Sequence, residues 1–160
     1  VAFFGCNKRA YIIINFISGV LIALFYFINP SHIVLIMIHQ GISSFITGPL
    51  MPLFWSMIAD TADYGAWKLG QRSTGLLFSA GTFSQKIGWS IGPAVAMALL
   101  GYFGFVANQD QSPETIQGLR LIMSLIPAVF AFLTCVAVLF YKIDAKTECE
   151  METALRENAT

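Results

Sequence analysis

The chain has 160 residues, of which 56% are hydrophobic and 11% charged, with a mean hydropathy of +0.69. A soluble domain carries about 25% charged residues, so too few charges are present to cover a water-facing surface; the composition puts the chain in the membrane class, and its long apolar runs predict an all-α integral membrane helical bundle. Nine basic and nine acidic residues balance to zero, which removes any basic signal for nucleic acid. Cys6, Cys135 and Cys149 are odd in number and widely spaced, unlike a disulfide framework or a metal site; Cys135, inside an apolar run, reads as a small packing residue.

The chain starts at Val1 rather than Met, with no signal-peptide pattern, and reads as a fragment beginning mid-protein. Residues 11–28 are apolar apart from Asn15 and Ser18, close to the minimum of about 17 residues for a spanning helix. Asn29-Pro30-Ser31 turns the chain. Residues 32–59 form a second span, in which Gly48-Pro49 and Pro52 predict a kink near residues 47–52. A third span covers residues 74–102. After the polar connection Asn108-Gln109-Asp110-Gln111, the run Ser112-Pro113-Glu114 supplies an N-cap, a proline at the first helical position and an acid in the first turn. The fourth span, residues 119–141, carries Pro127 as a bend, and residues 142–160 make a charged tail. All 160 residues thus read as one partial transmembrane bundle of four spans with no separate soluble domain.

Basic residues flanking the spans set the orientation. Lys8, Arg9, Lys68, Arg72, Lys142, Lys146 and Arg156 fall on one side if there are four crossings, against Arg120 alone on the other. Both ends and the charged connection at residues 60–72 are therefore expected in the cytoplasm.

The third span holds Lys86 near its middle, where an intramembrane charge costs about 2.5–3.5 kcal/mol on insertion scales. Each helix end is roughly ten residues away, about 15 Å of rise, beyond the reach of a snorkelling lysine. Three surfaces emerge at 3.6 residues per turn. Gly81, Gly88 and Gly92 make a line along which another helix can approach closely. Leu76, Ala80, Phe83, Ile87, Ile91 and Ala94 form an apolar side. Ser79, Thr82, Lys86, Ser90 and Pro93 form a polar stripe with Trp89 at its edge. Such a stripe suits a helix lining a hydrophilic cavity, the role favoured for Lys86 over half of a structural ion pair. No Asp or Glu lies within the four spans, so either role takes a carboxylate from outside this chain. Trp89 can stack on the apolar face of a sugar or simply pack between helices, and Trp55 is better suited to packing. Thr82 can bond a substrate hydroxyl or its own backbone. His39 fits an interhelix hydrogen bond better than a metal pair with His32. There is no Walker loop, metal cluster or Ser/His/Asp spacing, and nothing supports an enzyme.

The connection at residues 60–72 orders its charges acid, acid, base, base, which by itself fits an ordinary solvated loop. Its spacing says more. Asp60, then Asp63-Tyr64-Gly65-x-x-Lys68-x-Gly70-x-Arg72, then Lys86 resembles the glycoside–pentoside–hexuronide:cation symporter family, the melibiose-permease-like branch of the major facilitator superfamily. The segments at residues 108–112 and 118–127 resemble that family's last loop and last helix, while Ala66 departs from the acidic or amide residue common there. The resemblance implies helices nine to twelve of a twelve-helix transporter, whose two bundles rock around a central site. It places Lys86 in the sugar and cation cavity, facing acids of an amino-terminal bundle absent from this chain, and Thr82 towards the sugar; Trp89 joins them as a candidate from its place on the stripe. It gives Asp60, Asp63, Tyr64, Lys68 and Arg72 a part in closing the cytoplasmic side. The implied activity is uptake of a sugar or glycoside coupled to Na+, Li+ or H+ across the cell membrane, with no cofactor. The alternatives are a related carrier of lysophospholipid or another amphiphile, and a non-transporting membrane assembly subunit.

Overall fold

The computed structural model describes residues 7–29, 31–71 and 73–157; Pro30 and Arg72 of the expected turn and gate lie outside them. Every regular element among these residues is helical: α1 (Asn7–Leu24), α2 (Ile33–Thr47), α3 (Leu50–Leu69), α4 (Thr74–Tyr102), α5 (Pro113–Met123), α6 (Leu125–Leu139) and α7 (Ala145–Glu157), with a 3-10 turn at Phe25–Phe27. The fold class expected from composition is the one observed.

The bundle is built around α1, which packs on α6, α3 and α2. Its inward half carries Asn7, Ala10, Asn15, Ser18 and Gly19, all small or amide-bearing. That choice matters in lipid, where helices associate by close contact and hydrogen bonding rather than by hiding apolar surface from water. Asn15 Nδ2 donates to the Ala131 carbonyl at 2.9 Å and approaches Cys135 Sγ at 3.4 Å, tying α1 to α6. Four residues on, a Cβ at Gly19 would stand 3.2 Å from the Phe132 ring and 3.3 Å from the Ala131 methyl, tight enough that a side chain there would press α6 outward. Phe16 and Phe132 meet edge to face at 5.5 Å. Large apolar side chains point outward instead: Phe45, Phe140 and Leu76 are all more than two-thirds exposed. An apolar exterior around a small-residue interior is the arrangement suited to lipid.

Proline and glycine place the breaks. Pro49 and Pro52 lack the N–H groups that would continue α2, and the helix parts at Gly48 and Pro49, inside the predicted kink region. The bend expected from Pro127 falls at Ser124, a turn earlier, where φ is −125° and ψ −76°. A proline ring clashes with the backbone one turn before it, so the distortion belongs there; the Ser124 hydroxyl donates to the Arg120 carbonyl within that turn. At the start of α5, Ser112 Oγ accepts from the Thr115 N–H at 3.2 Å, with Pro113 at the first position, as the sequence predicts.

Two features differ from expectation. Residues 60–69 are not a loop: α3 continues to Leu69, and Gly70 ends it in the left-handed conformation at φ 66°. Polar residues do not stop a helix, and the lone Gly65 costs only about 1 kcal/mol relative to alanine; the stop waits for a residue that tolerates positive φ. Likewise, the tail is not simply solvated. Residues 145–157 form α7, which packs on α3, and Ile143, Met151 and Ala62 are all buried.

By length and composition, three segments among the described residues can cross a membrane: Asn7–Phe27, Ile33–Leu69 and Pro113–Leu139. The expected third span, α4, has 29 residues and ample length, but its apolarity is diluted by the stripe and glycines that set it apart in the sequence.

Candidate functional site

α4 crosses α3 at Gly81, the one buried residue of the helix: a Cβ there would lie 2.6 Å from Ile58 Cδ1 and 3.4 Å from the Trp55 ring. Trp55 in turn stacks on Phe78, with ring centroids 5.7 Å apart and planes 10° from parallel. Trp55 is thus a packing residue. Gln85, one turn beyond Gly81, reaches Met51 Sδ at 3.6 Å and borders a small cavity with Tyr11, Leu50, Met51 and Phe54. Gln85 left no trace to single it out, because a lone amide between Ser84 and Lys86 carries no spacing signal.

Past this crossing the helix stands open. Built Cβ atoms at Gly88 and Gly92 meet nothing within 4 Å, so the close approach expected along that line is made only at Gly81 among the described residues. On the stripe, Thr82 Oγ1 donates to the Phe78 carbonyl at 2.8 Å, Ser79 Oγ to Leu76 at 2.8 Å and Ser90 Oγ to Lys86 at 3.0 Å. Their hydrogens are committed to the backbone, but each oxygen keeps a lone pair for a donor. Lys86 is exposed, and its ammonium makes no hydrogen bond or ion pair among the described residues. Trp89 is 67% exposed. Lys86 and Trp89 are thus exposed and Thr82 is half-buried, and together they offer three ammonium donors, a hydroxyl acceptor and an indole ring.

The gating candidates divide. Asn7 Nδ2 donates to Asp60 Oδ2 at 2.8 Å, to Ser56 Oγ at 2.9 Å and, more loosely, to Glu148 Oε1 at 3.4 Å, joining α1, α3 and α7 at one end of the bundle. Beside it Lys8 donates to the Tyr141 carbonyl and pairs with Asp144 at 3.2 Å. The Tyr141 hydroxyl donates to the Met57 carbonyl at 3.0 Å, and Thr61 Oγ1 lies 3.5 Å from that hydroxyl. Tyr64, Trp67 and Lys68 make a separate group, with the Tyr64 and Trp67 rings 5.9 Å apart and Lys68 Nζ 4.0 Å above the Trp67 ring. Asp63 is half-buried on the same helix, and Arg72 is outside the described residues. Sequence reasoning missed Asn7, Ser56, Tyr141, Asp144 and Glu148. Ser56 alone left a local trace, one helical turn before Asp60 and on the same face.

His39 Nε2 bonds the Leu21 carbonyl at 2.9 Å, the interhelix contact its position predicted. Among the described residues no group of His, Cys, Asp and Glu could hold a metal ion.

A helical bundle with an apolar exterior and a small-residue interior, with three segments able to cross a membrane, is that of a multi-pass membrane protein. The chain belongs to the MFS/sugar transport protein family, whose model matches residues 3–145. It is 34% identical over 123 residues to a glucuronide carrier protein homolog of Escherichia coli (strain K12), covering 77% of this chain and 27% of that protein. It is 39% identical over 111 residues to the isoprimeverose transporter of Lactiplantibacillus pentosus, covering 69% and 23%. With the uncharacterized symporter YnaJ of Bacillus subtilis (strain 168) it shares 31% identity over 145 residues, covering 90% and 31%. The matched region is thus under a third of the length of each of these relatives. No solved structure matches the chain.

Proposed function

We propose that this chain forms helices nine to twelve of a secondary active transporter, which couples uptake of a sugar or glycoside to Na+, Li+ or H+ by alternating access. Lys86 carries the reading. An exposed ammonium halfway along a 29-residue helix, on a stripe with Thr82 and Trp89, needs either a carboxylate or a wet cavity. A sugar site supplies the cavity, and acids in the rest of the polypeptide supply the carboxylates. A coupling cation arriving at those acids competes with Lys86 for their charge and changes the donors a sugar meets. Cation and sugar binding are then coupled, and the coupling is reciprocal for equilibrium affinities. The names of the relatives, a glucuronide carrier homolog and an isoprimeverose transporter, support the substrate class.

The charged end acts as the gate in this reading. Both ends of the chain lie in the cytoplasm of a cell-membrane protein, where Asp60, Asp63, Tyr64, Lys68 and Arg72 help hold the inner side shut against the amino-terminal bundle. The test is uptake of a glycoside panel by the full-length protein under imposed Na+ and H+ gradients. Lys86→Ala is expected to abolish cation-dependent accumulation while the protein still reaches the membrane. Unchanged accumulation in that variant refutes the role of Lys86.

A further inference from the structure

Arg120 has no part in the proposed transport cycle, and its surroundings are unusual. It sits on α5, seven residues after Pro113, or about 10 Å along the helix from the start of a membrane-spanning segment. Its Nε is buried and meets no hydrogen-bond partner. Its guanidinium forms no ion pair among the described residues, and the nearest acids in sequence, Asp110 and Glu114, are exposed. It borders a crevice of about 250 Å³ whose other walls, Phe25, Ile28, Ile36, Ile116, Leu119 and Met123, are all apolar. The rim continues into exposed apolar surface at Ile33, Val34 and Met123.

We propose that this crevice between the end of α1, the start of α2 and α5 binds an anionic phospholipid, with its phosphate on Arg120 and an acyl chain along the apolar walls. An arginine with a desolvated nitrogen requires an anion, and its planar fork matches phosphate oxygens. A small soluble anion would leave the surrounding walls wet. A lipid satisfies the charge and the walls together, and the depth of Arg120 suits the boundary between headgroups and hydrocarbon. The bound molecule is a fixed lipid and not a transported one, because none of the crevice's lining residues belongs to the Lys86 stripe.

The experiment uses the full-length protein in nanodiscs containing photoactivatable phosphatidylglycerol, with cross-links mapped by mass spectrometry. Labelling is expected in peptides covering residues 25–36 and 116–123, with phosphatidylglycerol favoured over photoactivatable phosphatidylcholine and no competition from inorganic phosphate. Arg120→Gln should lower the labelling roughly tenfold, the loss of one charge-assisted contact. Ile36→Trp, which fills the crevice and keeps the charge, should lower it as well, so the proposal does not depend on one variant folding. Equal labelling in wild type and either folded variant overturns the proposal. Displacement by inorganic phosphate, or a cross-link from Arg120 to a carboxylate elsewhere in the polypeptide, overturns it too. Because labelling reads binding alone, its failure leaves the transport reading untouched.

Discussion

The inward face of α1 and the open length of α4 use the same kinds of residue to opposite effect. Both combine glycine, small hydroxyls and longer polar side chains amid apolar neighbours. On α1, Gly19 touches the Phe132 ring, Asn15 reaches the α6 backbone and Asn7 bridges to Asp60. On α4, Gly88 and Gly92 face open space, and the Lys86 ammonium makes no bond among the described residues. Residue type therefore does not separate structural from functional polarity here; whether the neighbour lies in the same bundle does. The α1 face is an interface already made, whereas the α4 face is built for a partner outside the described bundle, whether protein, ion or sugar.

Substitutions can break or sharpen this contrast. The largest effect is expected at Gly19: Gly19→Leu drives four carbons into the Phe132 ring and Ala131 and should cost about 3 kcal/mol or more, because close-packed interiors resist insertion. SDS unfolding of the full-length protein measures it, and a wild-type unfolding midpoint would mean that α1 and α6 do not meet as described. Asn7→Ala should follow, losing about 1–3 kcal/mol by removing the donor shared by Asp60 and Ser56. The same unfolding assay reads this loss, and an unchanged midpoint would show the bridge to be idle. Smallest is Gly88→Leu, expected to change the packing of these helices on one another by no more than about 0.5 kcal/mol because nothing among the described residues stands within 4 Å. If Gly88→Leu unfolds the protein as readily as Gly19→Leu, the contrast between the faces is lost.

What could be read in advance follows from how locally each feature is encoded. Helix starts and breaks depend on a few adjacent residues, so Ser112-Pro113 and Gly48-Pro49 announced themselves. Lys86, Thr82 and Trp89 were legible as a set because one helical period places them together; Lys86 and Trp89 are exposed and Thr82 is half-buried. The clasp from Asn7 to Asp60 and Glu148 was not legible, since it joins residues 53 and 141 positions apart and no local pattern records such a meeting. The length of α3 was missed for a different reason. Polarity marks where a helix leaves the membrane, but not where it stops, and only Gly70 carried the stop. The same distinction explains α4, which has the length of a span without sufficient apolarity.

The joint at Gly48 and Pro49 acquires a mechanical meaning from the helix that follows it. α3 is 20 residues long, an arm of about 30 Å. A rotation of about 5° at its first residue displaces its far end by about 2.6 Å, on the 1.5 Å rise per residue. That end is not free to swing alone, because Asn7 and α7 are fastened near Asp60 and Ala62. A small change of angle in the middle of the bundle is thus geared into a concerted shift of the whole charged end.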